Sequence, residues 1–288
     1  MTLLCIISGM EHSGTTLFSQ LFNGHPLIKS GVECGLLLSE ISDFHTYEPF
    51  YTFLGTNKDW FWNISAEGRD RILQCANYNE AYKTLSYEKG RAHPNPMLRK
   101  MFIEADFIFD KTPRYVYDLA NTMSKMPVPF LITLKSPAEQ YLSWKKRGLI
   151  RNPKKRGLIR NLLKRGLIRN LLKNDVEEFS HRYNLVIDNI NDAKKLFPHN
   201  LMVIRYKTLT NHLPDVMQKV AHFLGLPSIG NLTLEVYNRS FGLETSARNT
   251  FDNRELFYSE PKLFLNHIEL EKLEELEVAF RKINDDGT

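Results

Sequence analysis

The sequence predicts an α/β fold in which helices flank both faces of a mostly parallel central sheet. One observation is that short apolar runs, typical of buried strands, alternate with amphipathic helical segments along the chain. The other is that the first apolar run ends in a glycine-containing loop that leads directly into a helical segment. A strand, such a loop and a helix in this order form a phosphate-binding unit.

The elements follow in chain order. The run LLCIISG is the first strand, and TTLFSQLFNGHP is a helix that stops at Gly24 and Pro26. Further buried strands are predicted at 106–113, 129–137 and 200–206, with helices at about 115–125, 137–147, 175–197 and 213–224. In such sheets ligands bind at the carboxyl ends of the strands. The residues at those ends are Ser8–Thr16, Asp110–Thr112, Lys135–Ser136 and Arg205–Tyr206.

We interpret residues 1–288 as a single domain. The segment 35–105 is less regular and rich in aromatic residues, including Trp60, Trp62 and Tyr82. We read it as a helical insertion beside the sheet that forms a wall of the substrate site. An ordinary aromatic core is an equally good interpretation of the same residues.

The composition excludes several classes of protein. Apolar residues make up 42% of the chain, as in a globular protein, and no apolar run is long enough to span a bilayer. The three cysteines, Cys5, Cys34 and Cys75, fit neither a disulfide framework nor a zinc motif, so we expect buried or semi-buried free thiols. With no signal peptide at Met1 we expect a cytoplasmic protein, or one of the Golgi lumen if the chain is trimmed.

The net positive charge of the chain comes from a tandem repeat at 145–171, which reads KKRGLIRNP, KKRGLIRNL, LKRGLIRNL. These residues carry eleven Lys and Arg and no acid, which leaves 27 basic against 33 acidic residues, or −6, elsewhere. The totals therefore give no support for a nucleic-acid partner. The repeat is either a solvated, partly helical segment or a basic lip that attracts an anionic acceptor or a membrane surface.

The loop GMEHSGTT, Gly9–Thr16, has the glycine spacing of a P-loop, so the predicted fold is similar to that of P-loop nucleotide hydrolases. Thr15 stands where those enzymes have the lysine that reaches the β- and γ-phosphates. The backbone amides and the hydroxyls of Ser13, Thr15 and Thr16 therefore suit one phosphate better than a triphosphate with Mg²⁺.

SGMEHSGTTLFSQLFNGHP resembles the 5′-phosphosulfate loop of sulfotransferases that use 3′-phosphoadenosine 5′-phosphosulfate (PAPS). LITLKSPAEQYLSWKKR is similar to the family's 3′-phosphate segment, which implies that Lys135 and Ser143 hold that phosphate. VIRYKTLTNHLPDVMQKVAHFLGLP looks like a third family segment. The motifs are closest in style to tyrosylprotein and carbohydrate sulfotransferases.

The resemblance implies further site residues. The cofactor-binding set is Ser13, Gly14, Thr15, Thr16, Lys135, Ser143 and Tyr206, with Ser246 and Arg248 of ETSARNT closing over the nucleotide. Glu33, which follows the His-Pro pair, is the candidate general base, with an ordinary surface glutamate as the alternative. Lys111 in FDKTP is the candidate that approaches the sulfuryl group, with a structural ion pair to Asp110 or another acid as the alternative.

His12 is a departure from the family, which has Arg or Lys before Ser-Gly-Thr-Thr. A histidine donates a hydrogen bond but carries full charge only below its pKa, near 6.5 when unperturbed. We therefore expect His12 to act as the donor to the sulfuryl or leaving oxygen, with Glu11 raising its pKa if the two side chains meet. The alternative is weak or lost activity.

The sequence therefore predicts transfer of a sulfuryl group from PAPS to an acceptor hydroxyl or amine, with 3′,5′-ADP (PAP) as product and without a metal. The acceptor is a small molecule, a carbohydrate or a peptide. One alternative is a P-loop kinase that uses ATP, because Asp110 mimics a carboxylate that binds Mg²⁺. The other is a PAPS-binding homologue with weakened catalysis.

Overall fold

The structure is a computed structural model that describes residues 2–23, 25, 28–30, 33–42, 64–92, 106–147, 175–226, 265, 267–283 and 285–286. The chain divides into two compact units. The first consists of Met1–Leu134, Asp192–Leu243 and Asp285–Thr288, and the second of Lys135–Asn191 and Glu244–Asn284. The single-domain organisation stays a prediction.

A five-stranded sheet forms the core of the first unit, and every neighbouring pair of its strands is parallel. The strands are β1 (Thr2–Gly9), β2 (Ile28–Ser30), β3 (Phe107–Lys111), β4 (Phe130–Leu134) and β5 (Leu201–Arg205), in the spatial order β2-β3-β1-β4-β5. The predicted α/β class with a mostly parallel sheet is therefore confirmed. The sequence pattern does not indicate β2, because its three residues are too few to stand out as an apolar run.

Helices of two kinds occur in the described part of the chain. The α-helices are α1 (Thr15–Asn23), α2 (Ala66–Leu73), α3 (Tyr78–Ala92), α4 (Leu119–Lys125), α5 (Pro137–Arg147), α6 (Asp175–Leu196), α7 (Tyr206–Asn211), α8 (Leu213–Phe223) and α9 (His267–Lys282). Leu36–Leu38 and Pro113–Asp118 are 3₁₀ helices. The predicted helix at 115–125 is thus a 3₁₀ helix, with Pro113 in its first turn, followed by α4. None of these described helices has the length and apolar character needed to cross a membrane.

Parts of two predicted features lie outside the described residues. In the segment 35–105, the described part contains the 3₁₀ helix Leu36–Leu38, α2 and α3, whereas Trp60 and Trp62 are outside it. Of the basic repeat, 148–171 is also outside it. The insertion as a wall of the substrate site and the basic lip stay predictions.

The order of the strands places a topological switch point at β1. From β1 the chain passes to β2 and β3 on one side, and it later forms β4 and β5 on the other side. In open parallel sheets, the crevice at the carboxyl ends of the strands at such a point is where ligands bind. In this chain the loop that follows β1 lies at that crevice.

Asp110 on β3 is fully buried and joins β3 to its neighbours through both carboxylate oxygens. Oδ2 accepts hydrogen bonds from the hydroxyls of Tyr82 on α3 (2.7 Å) and Tyr115 in the second 3₁₀ helix (2.6 Å). Oδ1 accepts a third, from the hydroxyl of Thr112 (2.7 Å). Burial raises the pKa of the Asp110 carboxyl, and these hydrogen bonds oppose that rise. The carboxylate thus ties together the elements at the carboxyl end of β3.

Candidate functional site

The loop between β1 and α1 makes a sharp turn that only a few residue types adopt easily. Gly9, His12 and Gly14 have φ angles of 147°, 68° and 109°. The amide of Ser13 donates to the carbonyl of Met10 (3.0 Å), which closes the turn. The first amides of α1 follow at once and have no acceptor within the helix, so the loop and the helix N-terminus together can bind an anion.

The three loop hydroxyls have different environments. Ser13 is fully buried, and its Oγ is hydrogen-bonded to Oγ1 of Thr133 on β4 (3.0 Å). Thr15 is also buried, whereas Thr16 is exposed. The hydroxyl of Ser13 thus fastens the loop to β4. Thr16 is the loop residue whose hydroxyl a ligand reaches from solution.

Gly14 is required by the packing of Tyr206, the first residue of α7. A Cβ atom at Gly14 would lie 2.3 Å from Cδ2 of the buried Tyr206 ring, far inside van der Waals contact. The backbone next to Tyr206 is held in turn by Asp285, which accepts from the amide of Arg205 (3.1 Å) and the hydroxyl of Thr208. The structure therefore places Tyr206, a predicted nucleotide contact, directly against the loop.

The two predicted catalytic residues with opposite charges meet at the end of β3. Nζ of Lys111 forms an ion pair with Oε1 of Glu33, with Lys111 nearly buried and Glu33 about a quarter exposed. Lys111 pairs in register with Ile7 of β1, two residues before the loop begins at Gly9. The alternative interpretation of Lys111 named Asp110 or another acid as its partner, and the partner is Glu33. The ion pair therefore lies at the carboxyl end of β3, next to the strand that leads into the phosphate-binding loop, with its carboxylate reachable from solvent.

His12 lies on the same loop in a left-handed backbone conformation, which histidine adopts more readily than most residues. Its neighbour Glu11 is engaged by the second 3₁₀ helix. Tyr117 donates its hydroxyl to Oε2 of Glu11 (2.7 Å), and Nε of Arg114 lies 3.8 Å from Oε1. Sequence reasoning missed both partners, and Arg114, three residues after Lys111, is a second cation near this loop.

Lys135 and Ser143, the predicted 3′-phosphate residues, belong to the second unit. Ser136 directly precedes α5, and its hydroxyl (2.9 Å) and its amide (3.1 Å) both donate to Oε2 of Glu139. Lys135 immediately precedes Ser136, and Tyr183 donates to the carbonyl oxygen of Lys135 (2.7 Å). Ser143 is half-buried on α5. Their role in phosphate binding stays a prediction.

Nothing in the described residues resembles a metal centre. They contain no group of three His, Cys, Asp or Glu side chains arranged to hold an ion. Asp110, the candidate magnesium ligand of the kinase alternative, is buried with both oxygens accepting protein hydroxyls. Cys5, Cys34 and Cys75 are buried free thiols, as expected. Ser246 and Arg248 lie outside the described residues.

The sheet order and the loop define an α/β protein of the P-loop type, and comparison with solved structures makes the fold more specific. The chain is similar to the sulfotransferase domain from the curacin biosynthetic pathway, with a TM-score of 0.56, 15% identity and 98% of each chain covered. This similarity shows that the chain has the sulfotransferase fold, which confirms the expectation from its motifs. No protein-family profile and no curated protein sequence matches the chain.

Two further structures are similar at lower TM-scores. A sulfotransferase from Alicyclobacillus acidocaldarius has a TM-score of 0.46 and 14% identity, with 98% of this chain and 100% of that chain covered. Retinol dehydratase, in complex with androsterone and the inactive cofactor PAP, has a TM-score of 0.40 and 14% identity, with 98% of this chain and 81% of that chain covered.

Substitution of Gly14 by alanine is expected to lower the free energy of unfolding by about 2–4 kcal/mol, from positive-φ strain and from overlap with Tyr206. Gly225→Ala is the matched control, because Gly225 has a φ of 68° and open space around its Cβ position. Gly225→Ala is expected to lower the free energy of unfolding by about 1 kcal/mol, from backbone strain alone. Urea denaturation measures both.

A double-mutant cycle separates the two causes. In a Tyr206→Ala background the overlap is absent, so Gly14→Ala is expected to cost less than in wild type, with only the strain of its φ of 109° remaining. An unchanged cost of Gly14→Ala in that background would show that the Tyr206 ring does not restrict the loop.

Proposed function

We propose that the protein is a sulfotransferase that transfers a sulfuryl group from PAPS to an acceptor hydroxyl or amine. The observation that carries this proposal is the Glu33–Lys111 ion pair at the end of β3, beside a P-loop that has Thr15 in place of lysine. Together they supply a base, a cation and a site for one phosphate. The sulfotransferase fold supports this reading.

The loop suits the 5′-phosphosulfate end of the donor. PAPS supplies an activated sulfuryl group attached to its 5′-phosphate. The first amides of α1 and the exposed hydroxyl of Thr16 are the groups we assign to that phosphate. Gly14, Thr15 and the buried Ser13 shape the loop, and Tyr206 holds it from the side. We assign the 3′-phosphate to Lys135 and Ser143, with Ser246 and Arg248 as further contacts.

In the proposed reaction Glu33 accepts the proton of the acceptor hydroxyl or amine as that oxygen or nitrogen attacks sulfur. The bond between sulfur and the 5′-phosphate oxygen breaks, and its electron pair stays on that oxygen, so 3′,5′-ADP leaves. Lys111 offsets the negative charge that develops on the sulfuryl and phosphate oxygens, and His12 donates a hydrogen bond there. Glu33 and Lys111 already adjoin, so both are held before the substrates bind.

The kinase alternative loses its main support in this geometry. Phosphoryl transfer from ATP needs a lysine that reaches the β- and γ-phosphates and a carboxylate that binds Mg²⁺. Thr15 occupies the lysine position, and Asp110 has no exposed oxygen. A buried carboxylate that already accepts three hydroxyl hydrogen bonds is a structural group.

The donor class can be tested by thermal denaturation without knowing the acceptor. Addition of 3′,5′-ADP is expected to raise the melting temperature, because a ligand that binds only the folded state stabilises it by mass action. At a ligand concentration of 100 times Kd, the free energy of unfolding rises by about 2.7 kcal/mol. ATP with Mg²⁺ at the same concentration is expected to give a much smaller shift. Stabilisation by ATP with Mg²⁺ alone would reverse this assignment in favour of a kinase.

Glu33→Gln is expected to lower kcat for sulfuryl transfer by about 10²–10⁴-fold, because the amide cannot accept the proton. Binding of 3′,5′-ADP, followed by calorimetry, should stay within about twofold of wild type. Glu275→Gln is the matched control, since Glu275 is an exposed glutamate of α9 paired with Lys272 (2.6 Å). Release of 3′,5′-ADP is measured with a phenol, a primary alcohol and a primary amine as acceptors. Equal kcat values for the two variants would remove Glu33 from its role.

The pH dependence of kcat/KM tests the role of His12. Activity is expected to fall as pH rises through the histidine pKa, near 6.5 when unperturbed, because the neutral imidazole loses its charge. His12→Arg is expected to keep its activity to alkaline pH, and His181→Arg, on the exposed surface of α6, should follow the wild-type profile. The same flat profile for wild type and His12→Arg would contradict the assignment.

A further inference from the structure

The chain that carries Glu33 is irregular, yet its backbone is held at several points by side chains. Only Leu36–Leu38 forms a short 3₁₀ helix here. The contacts are Gly35 N to Thr112 Oγ1 (3.1 Å), Leu37 N to Tyr115 OH (3.2 Å), Lys125 Nζ to Leu37 O (3.1 Å) and Tyr78 OH to Ser39 O (2.6 Å). We call residues 33–40 the base segment.

Two of these contacts, those made by Thr112 and Tyr115, have the same arrangement. Thr112 and Tyr115 each place a hydroxyl between Asp110 and a backbone amide of the base segment. An ionised carboxylate only accepts hydrogen bonds, so both hydroxyl protons point at Asp110. The remaining lone pairs face the amides of Gly35 and Leu37. Each hydroxyl is therefore fixed in orientation by Asp110 and accepts from the base segment.

The Thr112 contact is the closer of the two to the proposed chemistry. Thr112 directly follows Lys111, and Gly35 comes two residues after Glu33. The hydrogen bond from Gly35 to Thr112 therefore joins the two chain segments that carry the ion pair, immediately beside that pair. Thr112 is fully buried, so water cannot replace it as the acceptor without a rearrangement.

We propose that Thr112 is a positioning residue: its hydroxyl, oriented by Asp110, holds the base segment so that Glu33 stays beside Lys111 and the phosphate-binding loop. Tyr115 acts in the same way on Leu37. The proposal rests on the proposed function, because it takes Glu33 as the base. Misplacement of a catalytic group by about 1 Å can cost roughly 100-fold in rate, so one hydroxyl can matter without touching substrate.

The first experiment needs no substrate. Thr112→Val keeps the shape of the side chain but removes the hydroxyl, Thr112→Ser keeps the hydroxyl, and Tyr115→Phe removes the second one. Ser180→Ala is the control, because Ser180 is buried and its hydroxyl donates to the carbonyl of Val176 (2.6 Å) within α6. Hydrogen–deuterium exchange is followed in peptides that span 33–40.

We expect exchange in these peptides to be about tenfold faster in Thr112→Val and in Tyr115→Phe, and close to wild type in Thr112→Ser and Ser180→Ala. Wild-type exchange in Thr112→Val, or an equal acceleration in Ser180→Ala, would overturn the proposal. This readout does not depend on the proposed function. If wild type instead fails to bind 3′,5′-ADP or to turn over, the proposed function fails while the exchange result still decides whether Thr112 holds the segment.

The second experiment measures turnover with the acceptors named above. Thr112→Val is expected to lower kcat by about 10–100-fold, with KM for PAPS and Kd for 3′,5′-ADP within about twofold of wild type. Thr112→Ser should restore most of kcat. Faster exchange in the base segment of Thr112→Val without a fall in kcat would overturn the link to Glu33. A parallel fall in kcat and donor affinity would do the same, because it would indicate general disruption.

Discussion

The buried carboxylate of Asp110 is the interaction on which the arrangement at the end of β3 depends. A charged group in the core is costly unless hydrogen bonds compensate it, and Asp110 has three hydroxyl donors for this purpose. Those donors come from α3, the second 3₁₀ helix and the residue after β3. An apolar side chain at this position would leave three buried hydroxyls without their acceptor, so the carboxylate and the hydroxyls stabilise the fold only as a set.

Lys111, the residue after Asp110 on β3, has a different role. Successive residues of a strand point to opposite faces, so Asp110 and Lys111 are directed apart. Asp110 fixes structure, whereas Lys111 pairs with Glu33, whose carboxylate is partly exposed. Thr112 then connects the two, because it donates to Asp110 and accepts from the base segment. Three consecutive residues thus couple the core of the sheet to the candidate site.

The sequence predicts well what depends on local pattern. β1, β3, β4 and β5 are near-continuous apolar runs, and the glycine spacing locates the phosphate-binding loop. Glu33 and Lys111 come from family resemblance, but they are 78 positions apart, so only the folded chain brings them together. Thr112 and Tyr115 have no motif of their own. The available signal is Asp110, a carboxylate inside the apolar strand FIFDK, which indicates buried hydroxyl partners somewhere in the chain.

Among the described residues, two cations near the loop have acidic partners, and this has a consequence for the proposed reaction. Lys111 is paired with Glu33, and Arg114 lies near Glu11. A nearly buried cation such as Lys111 needs a compensating anion, and in the absence of donor Glu33 supplies it. When a sulfuryl group with its phosphate lies at the loop, it offers Lys111 a second anion, which weakens the hold of Lys111 on the carboxylate. Under the proposed mechanism the donor's anion takes over part of the role of Glu33 as counter-charge to Lys111, while Glu33 accepts the proton of the acceptor.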